Sequence, residues 1–208
     1  MELLAMEQLI HDANWMESAL AVIVGIGLAA SCGFRVFVPL LVVSGAANAG
    51  YLEVAENLRW LATPVAITAF AVASVAEIGA YYVPWLDNAL DTIASPLSAV
   101  AGAILFAASV TGLDPFWQWS LAIIAGGGAA AVVQGGTVAT RLTSTATTGG
   151  LANFVVNTVE TIFGAAFSVL AIVVPVVALV LLVVVVGLMY YVGRRVVGAV
   201  WRHDDGAV

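Results

Sequence analysis

Lysine is absent from this chain, and charge of either sign is scarce. Only 9% of the 208 residues are charged, and six arginines face thirteen acidic side chains. A soluble domain carries about a quarter charged residues, so a water-soluble fold does not fit. The formal net charge of −7 leaves no electrostatic footprint for nucleic acid. The single cysteine, Cys32, has no partner for an internal disulfide and says nothing about redox compartment. Gly-x-Ser-x-Gly, His-Glu-x-x-His, a Walker-type phosphate loop and a cysteine pair are all missing. Both histidines, His11 and His203, lie in terminal segments. No enzyme activity, metal or cofactor is therefore expected.

What fills the chain is hydrocarbon: 62% of residues are hydrophobic. Several apolar stretches exceed the roughly 20 residues that cross a hydrocarbon layer of about 30 Å. With no water there, the backbone must satisfy itself in helices or a closed barrel. The runs do not alternate with period two, which selects helices. The expected fold is an all-α, polytopic integral membrane bundle of about five spans, one or two of them kinked or discontinuous. It occupies residues 19–193, between an N-terminal segment (1–18) and a C-terminal tail (194–208). The N-terminal segment carries Glu2, Glu7, Asp12 and Glu17 and no basic residue, the wrong charge for a signal peptide, so it is expected to stay on the protein. Leu3, Met6, Ile10 and Ala13 would share one face of a short interfacial helix; a tail is the alternative.

Along the chain, the first run (19–43) contains Arg35, bracketed by Gly33 and Pro39. A central arginine opposes insertion by about 3 kcal/mol, which a dozen apolar residues at about 0.3–0.6 each outweigh. The flanking Gly and Pro predict a broken or kinked helix. Residues 45–57 read as a loop. The second run (60–83) lies between Trp60 and Tyr81, Tyr82 and Trp85, an aromatic belt at each end, and Glu77 sits about 12 Å inside the second belt. The third run is 90–111. The fourth (120–140) carries Gly126, Gly127, Gly128, Gln134, Gly135 and Gly136, which permit either close helix packing or a re-entrant hairpin. The hydroxyl-rich stretch 143–150 reads as a polar loop. The last run (151–192) would be about 63 Å long as one helix. No polar turn residue flanks Pro175, so one long kinked helix is predicted there. Arg194, Arg195 and Arg202 predict a cytoplasmic C-terminus, for a multi-pass protein of the cytoplasmic (inner) membrane.

Two polar turns repeat at one constant offset: Asp87, Asp91 and Thr92 match Asn153, Asn157 and Thr158. Each puts a polar pair at i and i+4 at the head of an apolar run. Either they belong to an internal repeat, as in many transporters, or they cap helices. Arg35 is the costliest residue to bury and should face a partner, with Glu77, Asp87 and Asp91 the nearest acids. Glu160 either pairs with Arg141 or is a solvated surface charge. The candidate ion or solute path is therefore Arg35, Glu77, Asp87, Asp91, Asn153, Asn157 and Glu160, with Gly33 and the glycines around Gln134 as packing residues. Gln134 itself is expected to hydrogen-bond across helices. Two functions fit: a small transporter or channel-like protein, or a non-transporting scaffold or accessory subunit. The partners would be the lipid bilayer and either copies of itself or a larger membrane complex.

Four phrases carry a resemblance: Gly-Phe-Arg-Val-Phe-Val-Pro-Leu-Leu (33–41), Tyr-Tyr-Val-Pro-Trp-Leu-Asp-Asn-Ala-Leu-Asp-Thr-Ile-Ala-Ser-Pro (81–96), Gly-Gly-Gly-Ala-Ala-Ala-Val-Val-Gln-Gly-Gly-Thr (126–137) and Ser-Thr-Ala-Thr-Thr-Gly-Gly (144–150). They resemble an uncharacterised bacterial membrane family catalogued as domain of unknown function 4126. The resemblance implies a polytopic membrane protein with no established activity, and it transfers no functional residue. The expected outcome of fractionation is a chain that resists high-salt and alkaline washing of membranes and requires detergent for release. Recovery in plain buffer would overturn the membrane assignment.

Overall fold

In the computed structural model the backbone is described for residues 2–204 and side chains for 15–83, 90–191 and 194. Among these residues all the regular secondary structure is helical: α1 (Glu2–Ser31), α2 (Phe37–Asn48), a 3₁₀ helix (Glu56–Ala62), α3 (Pro64–Ala80), α4 (Pro84–Ser109), α5 (Pro115–Leu121), a π segment (Ala122–Gly127), α6 (Gly128–Thr148), α7 (Asn153–Val173) and α8 (Pro175–Asp204). Four of the six prolines, Pro64, Pro84, Pro115 and Pro175, open a helix, where a missing N–H breaks no helical bond. Thr63 and Asp114 cap α3 and α5 by accepting from the amides of Ala66 and Phe116. The N-terminal segment is the first part of α1, and its side chains before Trp15 lie outside the described residues.

Three helical stretches are long and apolar enough to cross a membrane: Leu90–Ser109, Pro115–Thr148 and Asn153–Val173. The 3₁₀ helix and α3, bent by 62° at their junction, make a fourth if taken as one span. Trp15–Ser31, Phe37–Asn48 and Pro175–Tyr191 are shorter apolar helices.

Contacts set the directions. A Cβ added at Gly25 would meet Phe106, and one at Gly102 would meet the Ala29 carbonyl. Likewise Gly27 abuts Ala171, and the Ser168 hydroxyl donates to Ser31 at 3.0 Å. As numbers rise along α1 they fall along both partners, so α1 is antiparallel to α4 and to α7. Helices α4 and α7 are therefore parallel. The Gly-rich run between them is no re-entrant hairpin; it is part of one continuous 34-residue helix. Its π segment brings Gly126 and Gly127 onto Gly102, Phe106 and Ala99 of α4.

The first run is discontinuous, as Gly33 and Pro39 led one to expect, with the break at residues 32–36. Ser31 stands beside Ser168, the Arg35 Cβ faces Gly164 near the middle of α7, and the Arg35 guanidinium reaches back to Thr161 and Asn157 nearer its start. From there α2 turns back: the amides of Val36 and Phe37 meet Glu77, while the Asn48 side chain reaches the Ala62 carbonyl before α3 begins. Thus α1 and α2 form a V whose apex lies at mid-depth in the bundle. Helix α2 also extends to Asn48, which shortens the expected 45–57 loop.

Two further expectations are corrected. Residues 143–148 are helical, not a loop, because Thr143, Thr147 and Thr148 return their hydroxyls to carbonyls four residues back. The helix ends only at Gly149 and Gly150, whose φ of 63° and 88° suit glycine. The last run is two helices, not one kinked helix. Val155, Val159 and Phe163 of α7 share a cavity wall with Val185, Leu188 and Met189 of α8, so α8 folds back along α7. The reversal needs no polar residue: Pro175 cannot extend α7, and Val174 leaves the helical region at φ −138°, ψ 72°.

Gly126 and Gly135 test this packing. An added Cβ at Gly126 would lie 2.5 Å from the Phe106 Cβ and 2.7 Å from the Gly102 carbonyl oxygen, whereas at Gly135 it would meet nothing within 4 Å. Gly126→Leu is expected to destabilise by about 1–3 kcal/mol or more. Gly135→Leu should be neutral within about 0.5 kcal/mol. Unfolding midpoints in mild detergent measure both.

Candidate functional site

The V apex sits in a cluster of buried charge assembled from every long helix near it. Each helix contributes polar residues at helical spacing, so they share one face. From α3 and its end come Glu77 and Tyr81, from α4 Asp91, from α6 Gln134, Thr137 and Arg141, and from α7 Asn157, Glu160, Thr161, Gly164 and Ser168. Arg35 is 1% exposed and Arg141 is 2% exposed, so neither guanidinium faces lipid.

Arg35 donates from Nε to Thr161 Oγ1 at 3.0 Å and from Nη2 to the Asn157 carbonyl at 2.8 Å. Its Nη2 also lies 3.8 Å from Glu160 Oε2. Arg141 donates from Nε to Glu160 Oε1 at 3.3 Å, places Nη2 3.1 Å from Glu160 Oε2, and pairs through Nη1 with Asp91. Glu160 thus lies between the two guanidiniums. Both guanidiniums also stand over the Tyr81 ring, 4.1 and 4.6 Å from its centre, within cation–π range. The Tyr81 hydroxyl donates to Asp91 at 3.1 Å, and the Asn157 amide donates to the Tyr81 carbonyl at 2.7 Å.

Glu77 acts differently from its expected role as Arg35's ion-pair partner. Its two carboxylate oxygens accept from the amides of Val36 and Phe37 at 2.8 and 3.1 Å. A carboxylate from α3 therefore closes the N-terminus of α2, satisfying two orphan donors and meeting the positive end of the helix dipole. Among the described residues of the centre, Arg35 Nη1, Gln134 Nε2, Asn157 Oδ1 and Glu160 Oε2 are buried without a hydrogen-bond partner, although Glu160 Oε2 is ion-paired with Arg141.

Of the expected path residues, Arg35, Glu77, Asp91, Asn157 and Glu160 are brought together. Asn153 is not; its amide donates to Thr145 at 2.9 Å and ties the start of α7 to the end of α6. The side chain of Asp87 lies outside the described residues. Capping does not explain the polar turns, since the cap positions of α4 and α7 are Val83 and Ala152. Arg141 and Tyr81 join the centre although the path did not include them. Arg141 closed an apolar run and Tyr81 belonged to an aromatic belt, and only the tertiary fold turns both inward. Among the packing residues, Gly33 faces Ala130 and Val133, Gly126 and Gly127 face α4, Gly136 faces Met189, and Gly128 and Gly135 face open space. Gln134 is buried, and its Nε2 makes no hydrogen bond, so the expected bond across helices is not formed through that group. Among the described residues no group of three His, Cys, Asp or Glu could hold a metal.

Two lateral cavities of about 340 Å³ approach the centre from opposite sides. One lies between α3 and α4 and reaches Glu77 and Tyr81. The other lies among α6, α7 and α8 and reaches Glu160. Both are walled almost wholly by hydrocarbon.

An apolar helical bundle of this length, interrupted at mid-depth around paired arginines, is an integral membrane protein. More particularly, the chain belongs to the family described as Domain of unknown function (DUF4126), whose profile matches residues 22–195. No curated protein and no solved structure matches it.

Arg141→Met removes the guanidinium that Asp91 and Glu160 share and is expected to cost about 3–5 kcal/mol. The exposed Arg59–Glu56 pair is the contrast: Glu56→Ala should cost at most about 1 kcal/mol. Chemical unfolding in detergent compares them, and equal effects would deny the centre its structural weight.

Proposed function

We propose that this protein is a small membrane transporter or channel-like protein for a polar solute or ion, built around Arg35. The observation that carries the reading is the break between α1 and α2 at mid-depth, where a guanidinium and a helix N-terminus meet carboxylates from α3 and α7. Discontinuous helices whose ends point at buried charge recur at the binding sites of secondary transporters. Ionisable groups at such depth are costly and mark pathways more often than they serve as packing. Arg194, Arg195 and Arg202, at the end of α8, support a cytoplasmic lower face, in an inner membrane. The V then opens from the opposite side, where Glu53, Glu56 and Asp114 lie.

A scaffold or accessory subunit is the second reading. What favours it is the engagement of both guanidiniums with protein groups, which suits a lock between helices.

Cys32, fully buried at the apex, distinguishes the two without mutation. In liposomes, a path predicts slow reaction of Cys32 with a membrane-impermeant thiol reagent; a lock predicts protection for as long as the protein stays folded. Flux completes the test. With trapped pH dye and imposed Na⁺, K⁺, Cl⁻ and glycerol gradients, Arg35→Ala and Glu160→Gln are each expected to abolish at least one flux seen with the parent chain. Folded variants that leave every flux unchanged overturn transport.

A further inference from the structure

Glu77 occupies a place with the chemistry of an anion site. Its carboxylate receives the Val36 and Phe37 amides at 2.8 and 3.1 Å, the free donors at the start of α2, a 12-residue helix. Arg35 is the next residue in the chain and is 1% exposed. It engages α7 through Nε and Nη2, and its Nη1 has no acceptor. Its charge and that of Glu77 act on one another. Two amides and a guanidinium thus gather at one point, and Glu77 takes up the amides alone. Beside it lies the gap of about 340 Å³ between α3 and α4, lined by Val36, Phe37 and Glu77 themselves, with Ala73, Ala76 and Ala94 among its walls. Glu77 keeps 8% of its surface, so it is not sealed from this gap. An ionised carboxylate is too costly to place among such hydrocarbon walls, whereas a protonated one enters at far smaller cost.

We infer that the N-terminus of α2, with Arg35, is a binding site for a small monovalent anion, and that Glu77 is its tethered competitor. Proton uptake by Glu77 frees the two amides, the neutral side chain turns into the gap, and the anion takes the place of the carboxylate. One negative charge replaces another, so a proton and an anion bind together and the charge of the centre is unchanged. The space vacated is that of a carboxylate head, which suits ions of the size of chloride, nitrate or formate. The charged and titratable groups around Glu77 are Cys32 and Arg35 at the break, Tyr81 at the end of α3 and Arg141 on α6, with Asp91 on α4 and Glu160 on α7 paired to Arg141. The inference deepens the transport reading by naming the ion, and rests on that reading for the ion's passage, not for its binding.

Binding is read on the full chain in detergent, as the rise in melting midpoint when sodium chloride, nitrate or formate replaces gluconate at constant ionic strength. Glu77→Gln keeps the shape of the side chain, loses its charge and can accept through one oxygen only. At least one of the three anions is expected to raise the midpoint of this variant by about 2 °C or more, at about pH 5 and at about pH 8 alike. In the parent chain the same anion should act at about pH 5 and not at about pH 8, its apparent affinity falling up to about tenfold per pH unit. Ala76→Phe fills the gap without touching the amides and should remove the acid response of the parent; it carries the test if Glu77→Gln does not fold. Glu56→Gln, on the exposed surface, should respond as the parent does. The inference is overturned if no anion stabilises Glu77→Gln, if the parent responds equally at both pH values, or if Ala76→Phe responds as the parent does. Anion binding without flux of the same anion in liposomes keeps the site and counts against transport.

Discussion

Two guanidiniums held in a hydrocarbon surround constrain everything else in this fold. Neither Arg35 nor Arg141 can lose its charge, so each must find acceptors within the protein. The acceptors come from α4 and α7, with the Tyr81 ring between α3 and α4 adding its face to both. A helix that rotated or slid by one residue would carry its acceptor away and leave a buried cation unmatched. The network therefore sets depth and rotation for helices that the hydrophobic effect, absent between helices in lipid, cannot orient. Glu77 extends the same logic to the backbone by closing the exposed amides of α2, so the V apex is fixed at both Arg35 and Val36–Phe37.

Close backbone approach is what lets so short a chain surround that centre. Gly25 and Gly27 bring α1 against α4 and α7, Gly33 brings the break after α1 against α6, and Gly102 and Gly126 bring α4 against the π segment. In lipid, dispersion contacts and interhelical hydrogen bonds replace hydrophobic burial as the source of association, and small residues maximise the first. The π segment falls at this close approach to α4, a position where such distortions commonly adjust helix faces. The glycines that pack are those on the inner face; Gly128 and Gly135, on the same helix, face outward.

The helical class, the apolar runs, the broken first run and the inward turn of Arg35 were all legible in the residues, because each follows from local physics: length, Gly and Pro, and the cost of a charge in oil. The pairing was only half legible. Arg141 with Glu160 was one of two open alternatives, whereas the role of Glu77 depends on where α2 begins in space. Tyr81 was misplaced for a related reason: an aromatic near a helix end looks the same whether it faces the interface or two arginines. The reversal at Val174 was hidden because expectations for turns come from water-exposed loops, where polar residues serve exposed backbone. Here a proline that cannot extend α7 is enough. The Thr-rich stretch erred in the opposite sense, since hydroxyls that bond back along a helix lose the polarity that suggests a loop.

The two polar turns show what the repeated spacing does and does not carry. Helices α4 and α7 are parallel, and the matched residues Asp91 and Asn157 both enter the centre. Their chemistry then diverges. Asp91 supplies a full charge to Arg141, whereas Asn157 serves Arg35 through its backbone carbonyl and spends its amide on the Tyr81 carbonyl. Among the described residues the centre holds three carboxylates, Glu77, Asp91 and Glu160, against two guanidiniums, and Glu77 is matched by backbone amides. A fourth carboxylate at position 157 would be left without a compensating cation in a dry interior. The amide keeps the shape of the repeat while holding the charge near balance, so the two turns are alike in spacing and unlike in charge for one electrostatic reason.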